Sequence, residues 1–200
     1  MKNHLALIAA TVMAGLGGVA QAQDAGDWIF RVGVHSVQSK SSNHSLVNVD
    51  AAQSLSFNAT YMLASNWGVE VLAALPFEHD VNLNGGARVA KVKELPPTVT
   101  LQYHLNPNGA VRPYVGLGLN YTLFFDESTR GALDGTRLEL DPSFGLAAQA
   151  GVDIAVGSDW FVNLDARYID IDTDASVNRA SIGTVEIDPY AVGLTIGKRF

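Results

Sequence analysis

A two-residue period of apolar side chains recurs in eight separate stretches of this chain and runs to its final residue. Over Asp188–Phe200 the side chains of Tyr190, Val192, Leu194, Ile196 and Phe200 take the even positions, and Ala191, Gly193, Thr195, Gly197 and Arg199 take the odd ones. Strand side chains point alternately to opposite faces, so the segment has one greasy face and one thin, wettable face. The end of a soluble domain usually frays. A closed barrel has no such freedom, because its last strand pairs with its first and leaves no edge.

Seven more segments share the pattern. They are Trp28–Ser36, Ser54–Leu63, Trp67 to about Phe77, about Pro97–Leu105, Arg112–Phe125, Ser143–Val156 and Trp160 to about Ile171. The fifth of the eight is the most regular: Val115, Leu117, Leu119, Tyr121 and Leu123 alternate with Tyr114, Gly116, Gly118, Asn120 and Thr122. Three connections are tight turns rich in Gly, Asn, Pro and Asp, namely Ala64-Ser65-Asn66, Asn106-Pro107-Asn108-Gly109 and Gly157-Ser158-Asp159. The other four, Gln38–Gln53, Glu78 to about Glu94, Asp126–Pro142 and Asp172–Glu186, are long and polar. Short turns on one side and long loops on the other predict an all-β, eight-stranded antiparallel transmembrane β-barrel with short periplasmic turns and long extracellular loops. Aromatic residues gather near strand ends, where interfacial girdles belong; Trp28, Phe30, Tyr61, Trp67, Phe77, Tyr103, Phe124, Phe125, Trp160, Tyr168, Tyr190 and Phe200 are the candidates.

The first residues agree with export. A basic start at Lys2, an apolar run from Leu5 to Val19 and a small-x-small end at Ala20-Gln21-Ala22 predict a cleaved signal peptide over 1–22 and a single barrel domain over 23–200. Cleavage removes Lys2 and moves the formal charge from −7 to about −8. That acidity and the lack of a Lys/Arg stripe argue against a nucleic-acid partner. The chain has no cysteine, so an exported fold must be stable without disulfides.

A soluble barrel with an apolar inside has the same strand count. Size decides between the two, because eight strands leave an interior only wide enough for side chains. The face bearing Gly33, Gly116, Gly118, Gly145, Gly151, Gly193 and Gly197 suits the lumen, so the bulky face must point outward, into lipid. The charges Arg31, Glu70, Arg112, Asp153, Asp165, Arg167 and Arg199 share the inward face, where they can neutralise one another.

Several stretches together resemble the OmpW family of outer-membrane proteins. Among them are Phe30-Arg31-Val32-Gly33, Gly68-Val69-Glu70-Val71-Leu72-Ala73-Ala74-Leu75-Pro76-Phe77, Leu95-Pro96-Pro97-Thr98, Arg112-Pro113-Tyr114-Val115-Gly116-Leu117-Gly118, Tyr168-Ile169-Asp170-Ile171-Asp172-Thr173 and Gly197-Lys198-Arg199-Phe200. The resemblance implies a narrow apolar pocket open to the outside and passive, sideways passage of small hydrophobic molecules, including hydrocarbons, into the membrane. It implies that Leu72 helps close the pocket floor. It places Arg167 where the family has an inward tryptophan, so a charged plug of Arg167, Asp165, Glu70 and Arg31 that closes the barrel to ions is expected instead. Pro96-Pro97, which lacks ladder donors, marks a candidate lateral opening. The terminal Phe200, with Ile196 and Leu194, resembles the signal read by barrel-assembly machinery, and Lys198 replaces the usual apolar residue two positions before the end.

No chemistry is expected. His35, His44, His79 and His104 lie in different segments, with no nucleophile elbow or metal-binding helix to organise them. Asp170-Ile171-Asp172-Thr173-Asp174 lacks the Gly and distal Glu of a calcium loop and reads as a solvated loop base, bridged at most by divalent ions to lipopolysaccharide. The expected partners are outer-membrane lipid and lipopolysaccharide, the barrel-assembly machinery and small hydrophobic solutes, with no cofactor and no metal. The expected location is the outer membrane of a Gram-negative bacterium. The alternative function is a structural or interaction barrel that supports the envelope or serves as a phage or toxin receptor.

Overall fold

The structure, a computed structural model, describes residues 23–40, 47–83 and 86–200. The predicted signal peptide and His44 lie outside the described residues. Eight strands build a barrel: β1 (Trp28–Gln38), β3 (Ala52–Ala64), β4 (Trp67–Ala74), β7 (Thr98–His104), β8 (Val111–Thr129), β10 (Ser143–Ala155), β11 (Trp160–Ile169) and β14 (Tyr190–Arg199). Each is antiparallel to its neighbours in the order β1-β3-β4-β7-β8-β10-β11-β14, and β14 returns to β1. The closing register runs from Ile29↔Arg199 to Gln38↔Tyr190. All eight predicted segments are therefore present, and the chain's last strand does seal the ring. Closure gives every strand of the ring a ladder on each of its two sides, as the hydrocarbon core of a membrane demands.

The outer face is apolar along its length. Leu117 is 72% exposed and Phe144 69%, and Val34, Leu101, Leu119, Leu164, Val192 and Leu194 are also open. So continuous an apolar belt exceeds what a monomer shows to water and matches lipid. Trp28 stacks on Phe30 with ring centroids 5.8 Å apart, Trp67 meets Tyr103 at 4.9 Å, and Tyr168 meets Tyr190 at 5.3 Å, which gives both interfacial girdles their members. Two predicted girdle residues are corrected. Phe77 is only 3% exposed, and Phe124 packs inward against a buried cluster. The cause at Phe77 is a strand break: β4 ends at Ala74, and Pro76 cannot donate to a ladder, so chain parity is reset before β5 (Phe77–Leu83) begins.

The four long connections are not irregular, as their polarity suggests, but carry strands. They hold β2 (Val47–Val49), β5, β6 (Arg88–Leu95), β9 (Leu138–Leu140), β12 (Asp172–Val177) and β13 (Ala180–Glu186). β6 pairs with the upper part of the 19-residue β8, and β5 and β2 follow in the same sheet. β9, β12 and β13 make a second sheet of three strands. The two sheets form an extracellular crown. The β12–β13 hairpin turns at Asn178 and Arg179, whose φ values of 50° and 68° are the pair that a tight two-residue hairpin requires.

Candidate functional site

Inward side chains fill the lumen in layers. At the periplasmic end Ile29, Met62 and Phe161 make an apolar floor, all at most 1% exposed. Beneath it Arg199 reaches Asp27 and Asp159 at the rim (3.6 and 3.4 Å).

Above the floor lies a fully buried polar belt. Arg31 is its hub: Nη2 and Nε donate to the two carboxylate oxygens of Asp153 (2.8 and 3.2 Å), and Nη1 donates to Thr60 (3.0 Å) and faces Glu70 (3.3 Å). Its guanidinium also lies over the rings of Tyr114 and Phe161, at 5.4 and 5.3 Å. Arg167 Nη1 pairs with Glu70 Oε1 at 2.9 Å, and its Nε donates to Asp165 at 3.3 Å. His35 links Asp165 (2.9 Å) to Ser56 (2.6 Å), and Asn163 donates to Asp153 (2.8 Å) and to the Tyr114 hydroxyl (3.0 Å). In a dry lumen each of these charges requires a partner. The predicted group of Arg31, Glu70, Asp165 and Arg167 is thus brought together, with His35, Asp153, Asn163 and Tyr114 joining it. Arg112 departs from the group: it lies 5.5 Å over Phe161, and among the described residues its guanidinium donates to the Gly109 carbonyl alone, at 3.5 Å. His104 is a buried lumen residue bonded to Gln102 at 3.2 Å.

The apolar floor and the charged belt lie in series along the lumen, so the belt is not expected to decide conductance alone. With the floor intact, Arg167→Ala is expected to leave single-channel conductance at the parental level, whereas Arg167→Ala with Phe161→Ala should open a measurable current. A current from the single variant would show that the floor is no seal.

Higher up, Leu72 is buried and inward. At this level the wall is interrupted. The β4–β7 ladder ends at Leu72↔Thr98 and the β5–β6 ladder starts at Phe77↔Glu94, so 73–76 and 95–97 face each other without a ladder pair. On their other side the prolines are held: the Pro97 carbonyl accepts from Tyr121 N (3.1 Å) and from Asn120 Nδ2 (3.2 Å), and Leu95 pairs with Leu123. The interruption at Pro96-Pro97 is therefore one-sided, toward β4 and β5.

Within the crown, between the two loop sheets, sits an apolar cavity of about 70 Å³. Val47 and Val81 from one sheet and Leu138, Ala175 and Val185 from the other are among its walls, and Phe124 of β8 lies between them. Leu72, Pro96, Pro97 and Arg167 do not line it. Its polar walls are His79, Glu94 and Thr173. Sequence reasoning missed this cavity because its residues fall in stretches that read as loops; the alternation of Val89–Glu94 and of Thr173–Val177 was the available signal.

Asp170, Asp172 and Asp188 bring carboxylate oxygens within 4.8 Å of one another, and Lys40 pairs with Asp188 at 3.0 Å and with Glu186. Asp188, rather than the Asp174 of the linear run, completes the trio; Asp174 instead accepts from Thr184. At the chain end, Phe30 meets Phe200 edge-on at 5.7 Å, and Lys198 lies over the Phe200 and Trp160 rings at 4.6 and 5.5 Å. Ile196 and Leu194 are exposed on the lipid face of β14.

A closed eight-stranded ring with a lipid-facing apolar belt, a filled lumen and an extracellular crown defines an outer-membrane barrel protein. The chain belongs to the OmpW family, whose model matches residues 12–200. It is 37% identical to outer membrane protein W of Vibrio cholerae over 199 residues, covering 90% of this chain and 91% of that one. It superposes on the crystal structure of the outer membrane protein OprG from Pseudomonas aeruginosa with a TM-score of 0.81 at 36% identity, covering 90% of this chain and 99% of that one. It is also 30% identical over 189 residues to the dibenzothiophene metabolism operon protein PahQ of Pseudomonas aeruginosa, covering 86% of this chain and 88% of that one.

Proposed function

We propose that this barrel admits small hydrophobic solutes from outside the cell and releases them sideways into the outer membrane, without chemistry. The observation that carries the reading is the contrast between an apolar cavity in the crown and a lumen closed twice beneath it. A solute taken into the crown has no route down the barrel axis. The unpaired stretch between 73–76 and 95–97 lies at the base of the crown and is the wall's weakest place for an exit. The PahQ relative, named for an operon of dibenzothiophene metabolism, supports a hydrophobic cargo. Release into lipid lowers the free energy of an apolar solute by about 25 cal/mol per Å² removed from water, so passage requires no energy source. Cleavage of 1–22 on export, and recognition of Phe200, Ile196 and Leu194 by the barrel-assembly machinery, belong to the same reading.

The test is uptake of radiolabelled n-octane by Gram-negative cells that lack their own OmpW-family protein. Cells carrying this barrel should take octane up several-fold faster than cells without it. Ala175→Trp, which fills the cavity, should return uptake to the barrel-free rate while the barrel still assembles. Equal uptake with and without the barrel would favour the interaction barrel instead, with the exposed edge strand β13 as the surface to examine.

A further inference from the structure

We infer that the crown cavity prefers apolar solutes bearing a hydroxyl group, with the His79–Glu94 pair receiving that hydroxyl. The inference rests on the transport reading and goes beyond it by naming the cargo class and the residues that select it.

The polar groups in the cavity wall identify where a solute can bond. Thr173 is already engaged, since its hydroxyl donates to the Asp141 carbonyl at 2.7 Å. Both ring nitrogens of His79 are engaged as well, Nδ1 with the Asp50 carbonyl (2.7 Å) and Nε2 with Glu94 Oε1 (3.2 Å). Glu94 is different. His79 is the one described residue that bonds its carboxylate, through a single oxygen. A carboxylate has about four acceptor sites on its two oxygens, so Glu94 retains acceptor capacity where it borders the cavity.

Both residues are almost wholly buried, His79 at 3% and Glu94 at 2% exposure, among valine, leucine, alanine and phenylalanine side chains. An unmet acceptor in such surroundings costs free energy, and a hydrocarbon that displaced water from the cavity would leave it unmet. A solute hydroxyl would satisfy it. Charge narrows the class further. Burial lowers the His79 pKa, but the hydrogen bond and charge of Glu94 and the Asp50 carbonyl raise it by more, so the imidazole holds its proton above the ordinary histidine range. Both ring nitrogens face acceptors, the Asp50 carbonyl and Glu94 Oε1, so the pair holds one proton across the His79–Glu94 contact and as a unit has no net charge to match an ammonium or an anion. A neutral hydroxyl fits.

The pair also ties β5 to β6 and to the end of β2, and that tie alone would explain its burial. The experiment separates the two roles. Initial uptake of radiolabelled 1-octanol and n-octane is measured in cells carrying the parent barrel, each corrected for the rate in barrel-free cells. The parent should favour octanol about tenfold, the size expected for one satisfied against one unmet buried hydrogen bond. The double variant His79→Phe/Glu94→Leu replaces the pair as a unit and should bring the ratio of octanol to octane uptake down to about one, whatever the absolute rates. In the parent barrel, histidine-labelled and reconstituted in nanodiscs, 1-octanol should shift the His79 imidazole resonances and octane should not, and this reading decides the matter if the double variant fails to assemble. Equal corrected uptake of the two solutes by the parent, or a preference that survives the double variant, would overturn the inference and leave the transport reading standing. Uptake of neither solute above the barrel-free rate would overturn both.

Discussion

Gly118→Val is expected to keep the chain from reaching its folded, heat-resistant barrel form. Gly118 sits on the inward face of β8, paired with Thr100 on one side and Ala147 on the other. A Cβ placed there would lie 2.0 Å from the Val99 carbonyl oxygen and 2.6 Å from Thr100 Cγ2. The nearest atom is backbone, and it belongs to a strand held in ladders on both sides, so no rotamer change relieves the collision. Separating β7 from β8 would open the ring in a solvent that offers no substitute hydrogen bonds. We expect a loss above about 4 kcal/mol, at the severe end for one substitution. The check is the heat-modifiable shift on a cold gel together with surface protease protection. Gly157→Ala is the control: its added Cβ would meet nothing nearer than Trp160 Cβ at 3.9 Å, and it should assemble like the parent.

Arg31→Met should destabilise the assembled barrel by about 3–5 kcal/mol, the range for removing one partner of a buried pair. Methionine retains much of the aliphatic stem, so the loss reports the guanidinium: its charge, its hydrogen bonds and its place over the Tyr114 and Phe161 rings. Asp153 would keep the amide of Asn163 but lose both guanidinium bonds, and Glu70 would keep Arg167 and Asn58. The pair can be removed more gently than it can be broken. Adding Asp153→Leu should therefore restore a large part of the loss. Urea unfolding of barrels refolded into lipid vesicles measures both effects, and a single variant as stable as the parent would show that the belt is dispensable for stability.

The barrel itself was legible in the alternation. Parity alone assigned Arg31, Glu70, Asp165 and Arg167 to one interior, because strand periodicity commits every second residue to a face. Their mutual pairing was then a consequence of charge in a dry space. Which carboxylate each arginine takes was not legible, since it depends on stagger between strands far apart in sequence; Arg31 and Asp153 are 122 residues apart and meet across the lumen. The crown escaped for another reason. Its strands are as short as three residues, and parity is reset at Pro76 and by register shifts at Val81/Asn82 and Lys91/Lys93, so the alternation that survives comes in runs of five or six residues too short to set apart from a loop. Phe77 shows the cost: by the parity of β4 it belongs to the lipid face, yet it packs with Val37, Ala52 and Ala191. The cavity and the His79–Glu94 pair lie beyond that reset.

The one-sided break in the wall also divides the molecule by stability. Below it the ring is cyclic, so no strand can leave without breaking ladders on both of its sides, and opening should cost nearly the free energy of global unfolding. Above it the β2–β5–β6 sheet is bonded to the barrel chiefly along β8, and no ladder joins β5 to β4 or β6 to β7 at the break. Its strands should therefore open by local fluctuation more readily than those of the ring, and amide hydrogen exchange should be faster in β5 than in β1. The crown and the membrane ring are thus two units of unequal cooperativity in one chain, and a disturbance of the first need not loosen the second.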